Sequence, residues 1–227
     1  MLSSTVEDYL KQMYLQQQGE RVVSTGRLAE ALGVTPGTAT TMVKSLAEEG
    51  LVRYEPRKGS RLTGRGARLA LDIVRRHRLL ELFLVQVLGL DWSQVHEEAE
   101  RLEHAVSALV LERIDRMLGR PALDPHGDPI PTSSGAIAPR RLRSLADCEP
   151  PCTVRVARIV DQDPEFLRFA EEKGLRPGEA VRVTARDPMA DAVTVRPRGR
   201  PALVLSSSVA RRIMVGGSDE ATQRQSD

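Results

Sequence analysis

The chain has 227 residues, 41% of them hydrophobic, with 33 Lys plus Arg against 31 Asp plus Glu and a formal net charge of +2. That composition supports a packed core in one large domain or two small ones and excludes a fully disordered chain. No apolar run reaches the roughly 18 residues a membrane span needs. The N-terminus MLSSTVEDYLKQ lacks the basic leader and apolar core of a signal peptide. The expectation is a cytoplasmic protein with no membrane partner.

In chain order, residues 4–18 are expected to form an amphipathic helix. Val6, Leu10, Met13 and Tyr14 fall at helical spacing behind the capping candidates Ser3, Ser4 and Thr5. Ser24 and Thr25 precede a second helix over 28–32, which stops at Gly33. The turn Gly33-Val34-Thr35-Pro36 leads into a third helix ending at Gly50. Its buried stripe is Ala39, Met42, Val43 and Leu46; Thr35, Gly37, Thr38, Thr41 and Lys44 lie on or near the opposite face. A strand over 51–54, a turn over 55–60 and a return strand over 61–63 make a small hairpin. Between Arg53 and Arg68 stand six basic residues (Arg53, Arg57, Lys58, Arg61, Arg65, Arg68) and one acid, Glu55. That local asymmetry bears on partners more than the near-neutral total does.

Two short helices, a tight turn and a basic hairpin spell a winged helix-turn-helix, with the third helix suited to a DNA major groove. The candidate DNA contacts are Arg27, Thr35, Gly37, Thr38, Thr41, Lys44, Arg57, Lys58 and Arg61. Backbone N–H groups and hydroxyls at the helix start suit phosphates, and Thr methyls suit thymine methyls. The basic side chains neutralise phosphate in a salt-dependent way. A basic solvated surface used for protein contacts is the alternative. One such motif reads only a few base pairs, so specific binding calls for a dimer on a palindrome.

Residues 64–88 read as one long helix and 91–118 as another. The stretch 79–90 is apolar on more than one face, which fits either a dimer interface or ordinary core burial. Residues 120–139 contain five prolines and read as a linker or irregular loop. From Cys152 the pattern changes to a small mixed domain, mostly β. Its strand candidates are 153–159, 181–184, 193–195 and 202–205, with a helix over 164–173. The tail after Gly216 is polar and expected to be disordered. Cys148 and Cys152, in Cys-Glu-Pro-Pro-Cys, have no second pair to complete a zinc knuckle or a disulfide framework. They read as free thiols in a reducing compartment.

The histidines carry the chemistry. His77 and Glu81 are spaced i, i+4 on one helix, and His96, Glu100, Glu103 and His104 are spaced i, i+4, i+7, i+8 on the next. Such spacing stacks side chains on one helical face. Gathered and buried, these groups call for a divalent cation; left on the surface, they are a solvated acidic helix. His96-Glu97-Glu98-Ala99-Glu100 approaches the zinc-protease pattern but has Glu where that motif has its second His.

The combination resembles the diphtheria toxin repressor and manganese transport regulator family of bacterial metal-dependent transcription factors. The matching stretches are Thr5-Val6-Glu7-Asp8-Tyr9-Leu10, Arg76-His77-Arg78-Leu79-Leu80-Glu81, Val95-His96-Glu97-Glu98-Ala99-Glu100-Arg101-Leu102-Glu103-His104 and His126-Gly127-Asp128-Pro129-Ile130-Pro131. The match covers about residues 3–140 well and the remainder more loosely. The resemblance implies a mainly α chain: a winged helix-turn-helix over 1–70, a helical dimerisation and metal-binding domain over 71–139, and an SH3-like β domain over 140–216, before a tail over 217–227.

It also implies two metal positions. The primary one maps to Asp8, His77, Glu100, Glu103 and His104. The ancillary one maps to Glu81, His96 and His126, completed by a C-terminal carboxylate for which Asp163 is the best match, ahead of Asp124 and Glu165. Iron-responsive members have Met and Cys where this chain has Asp8 and Glu100, and oxygen donors favour Mn²⁺. Fe²⁺ is the alternative cofactor, and Zn²⁺, Co²⁺, Ni²⁺ or Cd²⁺ are expected to bind in vitro. Some manganese-responsive members have Glu where this chain has Lys11, which argues against a closely spaced second metal.

The function implied is a metal-gated repressor of metal-uptake genes, with operator DNA and a second copy of the chain as partners and no small organic substrate. The rivals are a metal-independent winged-helix regulator, a metal-dependent hydrolase using Glu97 or Glu98, and a C-terminal docking module built on Arg155, Arg158, Arg182 and Arg186.

Overall fold

The structure, a computed structural model, describes residues 2–217. The expectation for the tail beyond Gly217 lies outside the described residues. The chain divides into two compact units. One gathers residues 2–77, 102–111 and 130–137; the other gathers 78–101, 112–129 and 138–217.

The first unit opens with α1 (Ser4–Gln17), capped by Ser3, whose hydroxyl accepts from Val6 N–H at 3.3 Å. Helix α2 (Thr25–Ala31) starts at the cap Ser24, three residues earlier than the apolar spacing indicated. Ser24 Oγ accepts from Arg27 N–H, so the cap and not the first leucine sets the start. Helix α3 (Pro36–Glu48) has Thr35 at the cap and Pro36 in its first turn, where a missing N–H costs nothing. Ala39, Val43 and Leu46 are fully buried.

The wing is β1 (Val52–Glu55) paired antiparallel with β2 (Gly59–Leu62), with Val52 opposite Leu62. The return strand therefore begins two residues before the expected 61–63. Val23 adds a bridge to Ser60. Gly59 is obligatory there: its φ is +112°, and a Cβ would come within 2.7 Å of Val22 Cγ1 and Val23 O. One apolar core, built on Tyr9, Leu10, Met13, Leu28, Val43, Leu46 and Ile73, joins the three helices, the wing and the first turns of the next helix.

That helix, α4 (Gly64–Gln86), is long and unbroken, as its pattern indicates. Leu79, Leu80, Leu82 and Leu84 are buried within the single chain, which decides for core burial over a dimer face at those positions. The expected helix over 91–118 is two helices, α5 (Val95–Glu103) and α6 (Ala108–Met117). Asp91 Oδ1 accepts from Ser93 N–H at 2.8 Å and delays the start. Ser107 Oγ accepts from Val110 N–H at 3.3 Å and starts a new helix after the 104–107 break. On α6, Leu109, Val110 and Met117 are exposed.

The second unit's core is a six-stranded sheet ordered β3-β8-β4-β5-β6-β7. Its strands are β3 (Arg143–Ser144), β4 (Cys152–Ile159), β5 (Ala180–Asp187), β6 (Ala192–Pro197), β7 (Leu203–Ser206) and β8 (Ile213–Gly216). Helix α7 (Pro164–Glu172) and the short α8 (Ser207–Arg211) complete it. The four expected strands correspond to β4, β5, β6 and β7; the two-residue β3 and the four-residue β8 are additional. Cys148 is a buried free thiol and Cys152 a half-buried one.

Candidate metal centres and nucleic-acid interface

In the first unit, Asp8, Glu103 and His104 each present a ligand atom, and the three atoms lie within 4.8 Å of one another. Asp8 comes from α1, beside the winged motif; Glu103 ends α5, and His104 is the residue after it. His104 Nε2 lies 3.0 Å from Asp8 Oδ1 and 3.6 Å from Glu103 Oε1. His77 Nδ1 lies 2.6 Å from the other Glu103 oxygen, Oε2.

Two residues outside the expected ligand set, Glu7 and Lys11, complete the arrangement. Glu7 Oε2 lies 2.7 Å from His104 Nδ1, which turns Nε2 toward Asp8. Lys11 Nζ donates to Glu103 Oε1 at 2.6 Å in a buried pair. Arg76 ties the rear, donating to Glu7 Oε1 at 2.8 Å and to the Glu103 carbonyl at 2.9 Å. Burial alone would raise the Glu103 carboxyl, but His77 and Lys11 outweigh it and hold it below the ordinary range. Glu7, next to Asp8 in sequence, was visible only as an acid in a matching stretch. Lys11 stood out only as the place where some manganese-responsive members have Glu; its pairing with Glu103 is a contact across 92 residues that no local pattern shows.

The second unit holds another cluster, Glu81, Asp124 and His126, again with ligand atoms within 4.8 Å of one another and all three side chains buried. Glu81 stands on α4; Asp124 and His126 stand on the loop 118–142. Asp124 Oδ1 accepts from the N–H groups of His126 and Asp128, both at 2.9 Å, folding the loop around its carboxylate. Its other oxygen, Oδ2, and His126 Nδ1 are buried with no hydrogen-bond partner among the described residues. Burial pushes the Asp124 carboxyl well up, and the Glu81 and Asp128 charges push it further.

His96 Nδ1 lies 3.2 Å from Glu81 Oε1, and its Nε2 lies 3.5 Å from Glu100 Oε1. Glu100 therefore pairs with an expected ancillary residue, one helical turn before Glu103 on α5. Asp163 is not in the cluster. It caps α7, its Oδ1 accepting from Glu165 N–H at 2.9 Å and Phe166 N–H at 3.2 Å. The carboxylate beside Glu81 and His126 is Asp124, the weaker candidate, because a helix cap is what an Asp before Pro-Glu supplies best. Glu165, the other weaker candidate, stands in the first turn of α7.

Both clusters fit a divalent cation. Each offers carboxylate oxygens and an imidazole nitrogen, donors suited to Mn²⁺, Fe²⁺ or Zn²⁺. In the second, two buried polar atoms lack hydrogen-bond partners, Asp124 Oδ2 having only the Arg78 guanidinium at 3.6 Å, and a cation would relieve that cost.

The candidate DNA contacts are all exposed: Arg27, Thr35, Gly37, Thr38, Thr41 and Lys44 on or beside α2 and α3, and Arg57, Lys58 and Arg61 on the wing. Two are already paired on the surface, Arg27 with Glu20 at 2.6 Å and Lys58 with Glu55 at 2.9 Å. Such exposed pairs exchange easily for phosphate. Arg57 sits at the wing tip with a φ of +66°.

A winged DNA-binding unit joined through one helix to clusters of carboxylates and imidazoles defines a metal-dependent DNA-binding regulator. Three family models match in succession. The iron dependent repressor N-terminal DNA binding domain matches residues 1–60, its metal binding and dimerisation domain residues 63–132, and the FeoA domain residues 143–216. The chain is 30% identical to the iron-dependent repressor IdeR of Mycobacterium leprae, over 94% of this chain and 97% of that one. It is 29% identical to the diphtheria toxin repressor of Corynebacterium jeikeium, over 82% and 87%. Among solved structures, a manganese-dependent transcriptional repressor in complex with manganese superposes with a TM-score of 0.87 at 43% identity, over 93% of this chain and 99% of that one. The chain belongs to the iron-dependent repressor family of metal-dependent transcriptional repressors, which are not enzymes. Among the described residues no helix is long and apolar enough to cross a membrane.

Proposed function

We propose that this protein is a manganese-responsive repressor of metal-uptake genes, acting in the cytoplasm as a homodimer on a palindromic operator. The observation that carries this reading is the Asp8–Glu103–His104 cluster, which links the first helix of the DNA-binding unit to the end of α5. Its donors are oxygens and one imidazole nitrogen, a set that suits Mn²⁺ and also accommodates Fe²⁺. The proposed working domains are 1–70, 71–139 and 140–216.

A bound divalent cation supplies positive charge shared by groups that otherwise repel. The chain's own residues do the rest. Glu7 orients His104, Lys11 and His77 hold Glu103, and Asp8 carries the position of α1. The winged unit is thereby held in the orientation that lets α3 and the wing meet DNA. His77 belongs to this centre through Glu103, while Glu81, Asp124 and His126 form the ancillary one.

Fluorescence anisotropy of labelled DNA from the gene's own upstream region tests this. At fixed salt, Mn²⁺ is expected to raise DNA affinity about 5- to 150-fold over chelated protein, the span of a 1–3 kcal/mol coupling. An anaerobic Fe²⁺ titration decides between the two metals. The variant Asp8→Ala is expected to keep the dimer and lose the stimulation. Tight binding indifferent to chelator would overturn the reading in favour of a metal-independent regulator.

A further inference from the structure

The chain has one tryptophan, Trp92. It is fully buried and lies against the second metal cluster. Its indole stacks on the His126 imidazole, with ring centroids 5.5 Å apart and planes 28° from parallel. Its backbone carbonyl lies 2.9 Å from His126 Nε2. A carbonyl oxygen only accepts, so Nε2 carries the proton, and in the neutral ring the lone pair is on Nδ1. Nδ1 is the buried atom without a hydrogen-bond partner. It lies 3.9 Å from Glu81 Oε2, too far for a hydrogen bond and close enough for a shared ion.

Trp92 is held in turn. Its Nε1–H donates to Glu171 Oε2 on α7 at 3.0 Å, and the Arg176 guanidinium sits 4.8 Å from the ring centroid. The His126 backbone is pinned as well, its carbonyl accepting from Ile159 N–H of β4 at 2.9 Å. Gly127, with a φ of +86°, packs so closely on β4 that a Cβ would stand 2.2 Å from the Ala157 carbonyl oxygen. With the loop fixed, the remaining freedom of His126 is rotation of its ring, and that is the freedom Trp92 removes.

We propose that Trp92 is a positioning residue for the Glu81–Asp124–His126 metal site, its carbonyl fixing the Nε2–H tautomer and its indole the ring rotation, so that Nδ1 is the atom offered to a divalent cation. This rests on reading that cluster as a metal site. Histidine ligands characteristically donate their other N–H to a carbonyl or carboxylate, which fixes tautomer and orientation. Here one residue supplies both the acceptor and the stacking surface. The C-terminal β unit thereby shapes the site through α7 and β4.

The test uses the full chain, first without metal. In ¹⁵N-histidine-labelled protein, two-bond ¹H–¹⁵N correlations report the tautomer of each ring. His126 is expected to show the Nε2–H pattern in the wild type, a mixture in Trp92→Leu, and the Nε2–H pattern again in Trp92→Phe, which keeps a stacking ring. An Nδ1–H tautomer in the wild type overturns the proposal with no variant needed. An unchanged pattern in Trp92→Leu overturns the positioning role.

The site itself is tested by Mn²⁺ quenching of the Trp92 fluorescence. Quenching is expected to vanish in Glu81→Gln and to persist in Asp8→Ala. Quenching that ignores Glu81→Gln would overturn the site and not the tautomer. Equilibrium dialysis is expected to show Trp92→Leu binding one Mn²⁺ at least about tenfold more weakly, the usual loss when a ligand's supporting partner is removed.

Discussion

Lys11 is 3% exposed, and the Glu103 carboxylate on which it rests is wholly buried. Removing one partner of a buried pair costs more than the pair itself contributes, because the other charge stays behind. Lys11→Met is therefore expected to lower the unfolding free energy of chelated protein at pH 7 by about 3 kcal/mol, measured by urea titration. The same pair sets a pH dependence. The folded Glu103 carboxyl lies below its ordinary 4.5, so its contribution is present at neutral pH and is lost as pH falls through the folded value. Chelated wild-type protein is expected to lose stability on acidification below about pH 4.5, and Lys11→Met is expected to lose less over that range. The ammonium also carries a fixed charge beside the first centre. A closely spaced second cation there would meet it at like-charge distance, so a single ion at that centre is the expected stoichiometry.

The helices show where sequence patterns are decisive and where they fail. The winged unit was legible because each element carries two agreeing signals: an apolar period and a cap, or an alternation and a turn. The long α4 was legible for the same reason. The break between α5 and α6 was not, because the helical period of the apolar residues runs straight across it. At the end of α5, His104 lies among Glu7, Asp8 and Glu103, contacts distant in sequence that the apolar period does not register. Asp163 shows the complementary failure. The family resemblance is loose in that segment, and the carboxylate's local role there is to cap α7. Asp124 was the harder residue to find because its environment comes from α4, distant in sequence. At α6 the consequence is testable: Leu109 is 64% exposed and Met117 58% exposed in the single chain. Covering such side chains is what a second copy can do in a family with a dimerisation domain over these residues. Leu109→Asp is expected to shift the protein toward monomer in sedimentation velocity and to leave the helical circular dichroism unchanged.

For the whole molecule, metal and DNA are two ligands of one protein, and linkage makes their coupling reciprocal. Operator DNA is expected to tighten Mn²⁺ binding by the same factor by which Mn²⁺ tightens DNA binding. Calorimetric Mn²⁺ titrations with and without the operator check this, and unequal factors would mean that a further equilibrium intervenes. The start of α3 adds a consequence for what the protein can read. Thr40 and Thr41 donate their hydroxyls to the carbonyls of Pro36 and Gly37, and Thr35 and Thr38 bond to each other. Thr40 and Thr41 thus spend their hydroxyl protons within the helix and keep their acceptor lone pairs and methyls for a partner. A surface of that kind is expected to meet base donors through those lone pairs and thymine, rather than uracil, through the single carbon that separates the two.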